Sequence, residues 1–233
     1  MPQSGTGQTA LLTGLDAGAI FGGHFGPWTP VRLRPLVEAQ SVLRTVRDSG
    51  RSVAFANAYP RGWPGPGGSR RIAGPPLAAR GASVLDRHQE ALASGDAVSS
   101  EIVNDGWREH LGHRSVPVVT PREAGHNLAA IAEGKDLTLY AHYATDTAGH
   151  ARDMARAVAA LERVDAFLDG VLEGVSADTL LLIASDHGNL EDVTAGHTRN
   201  PALGMAAGPG ATEARRLRDL RDVAPFIRSL FED

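Results

Sequence analysis

Thr179-Leu-Leu-Leu-Ile-Ala-Ser-Asp-His-Gly-Asn189 sets an apolar, β-forming run directly against an acid, an imidazole and a glycine. A run of this length, closed by polar residues and glycine, reads as a buried strand. In open α/β sheets the ligand crevice lies outside the carboxyl ends of the strands, so Asp186 and His187 fall where chemistry is expected. Gly188 permits a turn that aims both side chains inward.

Working outward, Ser52 to Asn57 (SVAFAN) and Leu137 to Tyr143 (LTLYAHY) repeat the strand pattern. Between the last two strands, Met154, Ala157, Val158, Leu161, Val164, Leu168, Val171 and Leu172 recur at three- and four-residue steps. That spacing predicts a helix over 149–172 with one face docked on a sheet. A strand, a long helix and a strand imply a parallel crossover, hence an α/β fold whose central sheet is mostly parallel, with helices on both faces. Further helices are expected at 36–48, ahead of Gly50, and at 223–231. Another is expected over 120–133, where Thr120-Pro121-Arg122-Glu123 forms a capping box with proline in the first turn. The Pro/Gly-rich span 60–76 reads as a loop, and 60–119 as a loop-rich insertion or lid within a single domain, 1–233.

Asp146-Thr-Ala-Gly-His150 follows the strand 137–143 as Asp186-His187 follows the strand 179–185, and His197 comes ten residues after His187. A four-residue step can bring a carboxylate and an imidazole to one point. Two Asp and three His within 52 positions form a hard-to-borderline donor set suited to Zn²⁺ or Mn²⁺. The chain has no cysteine, which excludes disulfides, iron–sulfur clusters and thiolate sites. Near the start, Ser4-Gly-Thr-Gly-Gln8 places hydroxyls among glycines just before a helix start, a setting in which backbone amides and the helix dipole favour a phosphate. His110 and His113, and the Arg215–Arg216–Arg218 cluster, read as solvated helix faces.

A formal charge of −4 with 42% hydrophobic residues gives no electrostatic footprint for nucleic acid, and no stretch approaches a membrane span. The start lacks a positive and an apolar leader segment, so a cytoplasmic protein is expected, with a small-molecule partner and an oligomeric state that composition does not indicate.

Together these motifs resemble the alkaline phosphatase superfamily, in particular its branch of cofactor-independent phosphoglycerate mutase and phosphopentomutase. The resemblance implies two divalent ions, Mn²⁺ or Zn²⁺. Asp146, His150 and His197, the last before Thr-x-Asn-Pro, would hold one, and Asp186 and His187 of Asp-His-Gly-Asn the other. Counting ten residues back from Gly14 makes Ser4 the implied nucleophile and a ligand, with Thr6 in reserve. Gln8 falls near the transferred group, and His24, Asn57 and Arg199 are implied substrate contacts. The implied reaction is phosphate monoester hydrolysis on a small phosphorylated substrate. The alternatives are a phosphomutase, a sulfate or phosphonate ester hydrolase, and a non-catalytic metal-binding remnant. The family opens with a strand ending in Asp-Gly whose acid binds the second ion. Here that strand is expected to be missing, which leaves the sheet a strand short and the second site a carboxylate short.

Overall fold

A computed structural model describes residues 1–65 and 71–232, so part of the expected 60–76 loop lies outside the described residues. The chain opens with α1 (Ser4–Thr13), α2 (Ala17–Phe21), α3 (Arg34–Gln40) and α4 (Val42–Asp48), followed by β1 (Val53–Phe55). Three short helices come next, α5 (Gly74–Gly81), α6 (Gln89–Ser94) and α7 (Asp105–Glu109), and then α8 (Pro121–Ala132) and β2 (Leu137–Leu139). The remainder is α9 (Ala144–Ala151), α10 (Met154–Gly174), β3 (Leu181–Ala184), β4 (Gly204–Ala207), α11 (Ala211–Ala214) and α12 (Leu220–Ser229).

β1 and β2 pair in parallel, Val53 opposite Leu137 and Phe55 opposite Leu139. Strand alternation divides the core between the two faces. Phe55 joins Leu12, Val37, Leu43 and Leu77 from α1, α3, α4 and α5, while Ala54 and Ala56 turn to Ala124, Phe167 and Val171 from α8 and α10. Helices therefore cover both faces, as expected. Burying Phe55 completely contributes about 2–3 kcal/mol.

The sheet itself differs from expectation. Among the described residues there is no single large, mostly parallel sheet: β1–β2 is one two-stranded unit, and β3 pairs antiparallel with β4 in another. Leu181 and Tyr140 pack in the same apolar cluster, yet no backbone ladder joins β2 to β3. An apolar run identifies a strand but not its partner, which is set by distance and register between segments far apart in sequence.

The helix expected over 149–172 is two helices, because Arg152 adopts a left-handed conformation (φ 53°) that ends α9. α10 then crosses α8 closely. A Cβ on Gly125 would lie 2.2 Å from the Phe167 carbonyl oxygen, and one on Gly170 would lie 2.1 Å from that of Arg122. Ala157 and Val171 of the expected stripe are buried, but Met154, Val158, Leu161 and Leu172 are exposed. The helix expected over 36–48 likewise breaks at Ser41, which is extended and caps α4 by accepting from Arg44 N at 3.4 Å. The capping box at Thr120–Glu123 is present.

Segment 60–119 is more structured than a lid. Leu92, Ala97, Trp107 and Val116 form a small core with Ala58, and Val98 bridges in parallel to Asn57 just past β1.

Candidate metal centre

The site begins with α1, which is glycine-rich because two neighbours press on it. A Cβ on Gly5 would lie 2.2 Å from the Trp28 carbonyl oxygen, and one on Gly7 2.5 Å from that of Asp186. This close seat delivers Ser4, the first residue of α1, to the loop after β3, where Ser4 Oγ lies 2.9 Å from His187 Nε2. Both side chains are buried.

Three donor groups converge on one point: Asp146, His187 and His197 each offer an atom within 4.8 Å of the others. Asp146 Oδ1 is 3.8 Å from His187 Nε2 and 3.7 Å from His197 Nε2. Ligands around an ion with bonds of about 2.0–2.1 Å sit roughly 3.3 Å apart, so a small contraction suffices. The ring contacts are compatible with it: with His187 Nδ1 donating to the Gly188 carbonyl at 3.3 Å and His197 Nδ1 to that of Pro2 at 2.9 Å, each Nε2 is the nitrogen that would take an ion. His150 completes the cluster from the next turn of α9, its Nε2 3.5 Å from Asp146 Oδ2 and 3.0 Å from His197 Nε2. Asp186 Oδ1 is 3.7 Å from His187 Nε2. Burial pushes the Asp186 carboxyl pKa up, with the Asp146 charge adding to the rise, against the opposing pull of His187 and a hydrogen bond from Gln8.

The other anticipated residues fall in different places. Thr6 Oγ1 donates to the Gln3 carbonyl at 3.2 Å and accepts from Phe25 N at 3.2 Å, so it pins the 25–28 loop to α1. Gln8 donates to Asp186 Oδ2 at 3.1 Å and accepts from Gly74 N at 2.9 Å, which braces a candidate ligand. Asn57 is held by one residue, donating to the Ala141 carbonyl at 2.7 Å and accepting from Ala141 N at 2.8 Å. It continues the β1–β2 ladder with a side chain, is buried, and does not line the cavity at the centre. His24 and Arg199 are exposed and do not line the cavity at the centre.

That cavity, about 500 Å³, is lined by Ser4, Pro27, Asp146, His150, Arg152 and His197 among others, and by no described residue of 60–119. Arg152 was not anticipated from sequence. A non-glycine residue in the left-handed region beside a candidate site is a strained position of the kind that function retains. Asn189 is the second unanticipated member. Its Nδ2 donates to Asp146 Oδ1 at 2.5 Å and to the Asp146 carbonyl at 3.1 Å, and a Cβ on Gly149 would collide with its Oδ1 at 2.3 Å. The Asp-His-Gly-Asn motif carried that signal. Glu191 ties the loop together, accepting from Asn189 N at 2.7 Å, Asn200 Nδ2 at 3.0 Å and the Thr198 hydroxyl.

Residues 122–232 match the sequence profile of the metalloenzyme superfamily. Three curated relatives, all named 2,3-bisphosphoglycerate-independent phosphoglycerate mutase, align with the chain. The one from Cereibacter sphaeroides is 34% identical over 119 residues, which is 47% of this chain and 24% of the relative. That from Desulforudis audaxviator is 34% identical over 124 residues, covering 49% and 24%, and that from Roseobacter denitrificans is 36% identical over 114, covering 44% and 22%. The chain thus spans about a quarter of the length of these relatives. No solved structure matches it significantly. Among the described residues no helix is long and apolar enough to cross a membrane. The matched segment carries Asp146, His150, Asp186, His187 and His197, and over it the chain is similar to the metalloenzyme superfamily and to the cofactor-independent phosphoglycerate mutases.

Proposed function

We propose that the chain supplies the metal centre of a metal-dependent phosphoryl-transfer enzyme of the phosphomutase type, acting on a small phosphorylated substrate. The observation that carries this reading is the convergence of Asp146, His187 and His197 beside Ser4. The mutase outcome is preferred to simple hydrolysis because the relatives that share this segment are named as mutases.

Asp146, His197 and His150 would hold one divalent ion, and His187 and Asp186 belong to the set for a second. Such ions, when bound, supply a Lewis acid that lowers the pKa of the serine hydroxyl and offsets charge on the phosphoryl oxygens. Ser4 Oγ is the oxygen that forms the new bond to phosphorus as the substrate's ester bond breaks, and the phosphoryl group then passes to an acceptor hydroxyl. The 2.9 Å approach of Ser4 Oγ to His187 Nε2 sets the hydroxyl beside the donor cluster. Asn189 orients Asp146, Gln8 orients Asp186, and Arg152 at the cavity wall offers a planar pair of donors to phosphoryl oxygens.

The test has two parts. Calorimetric titration with Mn²⁺ and with Zn²⁺ should show binding that Asp146→Asn weakens by about 100-fold or more. Incubation with 3-phosphoglycerate should then leave a phosphate on Ser4, read by mass spectrometry and absent in Ser4→Ala. Binding that is indifferent to Asp146→Asn refutes the metal centre; phosphate lost to water with none reaching glycerate restores the hydrolase.

A further inference from the structure

On the flank of α9 opposite the metal centre lies a second cleft of about 490 Å³, lined by Ser100, Glu101, Tyr143, Thr147, Arg156 and Arg163 among others. Arg156 and Arg163 enter from α10. Being seven positions apart, they lie two turns from each other on one side of the helix.

The charges in this cleft are unbalanced. Arg163 has no ion pair or hydrogen bond among the described residues. Arg156 reaches only Asp153, at 3.7 Å, and that carboxylate already accepts from Ala155 N and Arg156 N as the cap of α10. Glu101 lines the same cleft but forms no ion pair with either arginine among the described residues; its Oε2 lies 2.7 Å from where a Cβ would stand on Gly106, so the carboxylate is turned onto the first turn of α7. His142, close enough to Arg163 to feel its charge, is kept neutral by burial; its Nδ1 donates to the Ser100 carbonyl at 2.9 Å, and its Nε2 is buried with no partner among the described residues. At the same end of the cleft α9 begins at Tyr143–Ala144 with no side-chain cap, so its first amides lack a side-chain acceptor.

Two guanidinium groups, uncapped helix amides and the hydroxyl of Ser100 around one concavity match the oxygens of a phosphate or carboxylate. We propose that this cleft binds the phosphate or carboxylate group of a small anionic ligand, with Arg163 as the main contact and Arg156 as the second. The site shares no side chain with the metal centre and stands whether or not that centre is catalytic.

Inorganic phosphate and malonate are each titrated calorimetrically into the full chain, with and without EDTA. Binding that persists in EDTA, falls about tenfold in Arg163→Gln and less in Arg156→Gln, and is unchanged in Ser4→Ala supports the site. The tighter of the two anions then identifies the group. Circular dichroism melts confirm that each variant is folded. Equal affinity in Arg163→Gln and the parent, no binding in EDTA, or loss in Ser4→Ala overturns the proposal.

Discussion

Replacing Gly7 by alanine probes the seat of α1 against the loop after β3. The new methyl would lie 2.5 Å from the Asp186 carbonyl oxygen and 3.4 Å from the Asp186 Cβ, so about 0.9 Å of separation is needed to reach ordinary contact at 3.4 Å. The obstacle is backbone, which cannot rotate aside as a side chain tip can. Two terms oppose each other. Alanine in a helix gains up to about 1 kcal/mol over glycine, whereas overpacking of this kind costs about 1–3 kcal/mol. The net loss of about 0–2 kcal/mol corresponds to a melting temperature lower by up to roughly 8 °C for a chain of this size. Metal affinity should suffer more, because a ligand set tolerates displacement of only about 0.5 Å and Gln8 moves with α1; about a tenfold loss is expected. Calorimetry with Mn²⁺ and a thermal melt measure both quantities. Gly204→Ala is the control, since a Cβ there meets nothing within 4 Å. A Gly7→Ala chain that binds Mn²⁺ like the parent and melts higher would refute the close-seat argument.

Three other substitutions follow from the geometry. Asn189→Ala removes both hydrogen bonds to Asp146 and should lower metal affinity about 10- to 100-fold by calorimetry while the far-ultraviolet circular dichroism stays the same. Asn57→Ala strands the buried N–H and C=O of Ala141 and should cost about 2–4 kcal/mol in urea denaturation, with any turnover changed only as far as folding is lost; a selective rise in KM would return Asn57 to the substrate. Burial lowers the His142 pKa from its ordinary 6.5 to about 4, so between those values the unfolded chain takes up a proton that the folded chain refuses. Stability is therefore whole above about pH 6.5 and declines on acidification towards pH 4, by a loss on the order of 3 kcal/mol. His142→Gln should flatten that slope in urea midpoints measured across the range, and an unchanged slope would assign the effect elsewhere.

What could be read from sequence was local, or followed from a motif's position relative to a strand. The strands at 53–55, 137–139 and 181–184 and the capping box at Thr120 are announced by patterns within a dozen residues, whereas α1 begins at Ser4 and takes in the glycines that read as lying ahead of it. Placing Asp146, His150, Asp186, His187 and His197 at or beyond strand ends was enough to anticipate that they meet. β4 escaped notice because Gly-Met-Ala-Ala is short and largely exposed, without an apolar run to mark it. The crossing of α8 and α10 through Gly125 and Gly170 has no periodic signature, since what matters there is the absence of a side chain. The partners of Gln8 and Asn57, Asp186 and Ala141, stand 178 and 84 residues away, beyond the reach of any local pattern. A polar residue near a site reads alike whether it faces ligand or scaffold.

β2 leads into the helix that bears Asp146 and His150, while β3 leads into the loop that bears Asp186, His187 and His197, and no ladder of backbone hydrogen bonds stitches the two strand pairs together. The donor cluster therefore straddles a seam, with the Asn189–Asp146 contact as one of its few polar clasps. An ion captured there would act as a rivet between two separately zippered halves. Amide exchange should accordingly slow on both sides of the seam together when metal is added, out to strands that never touch it.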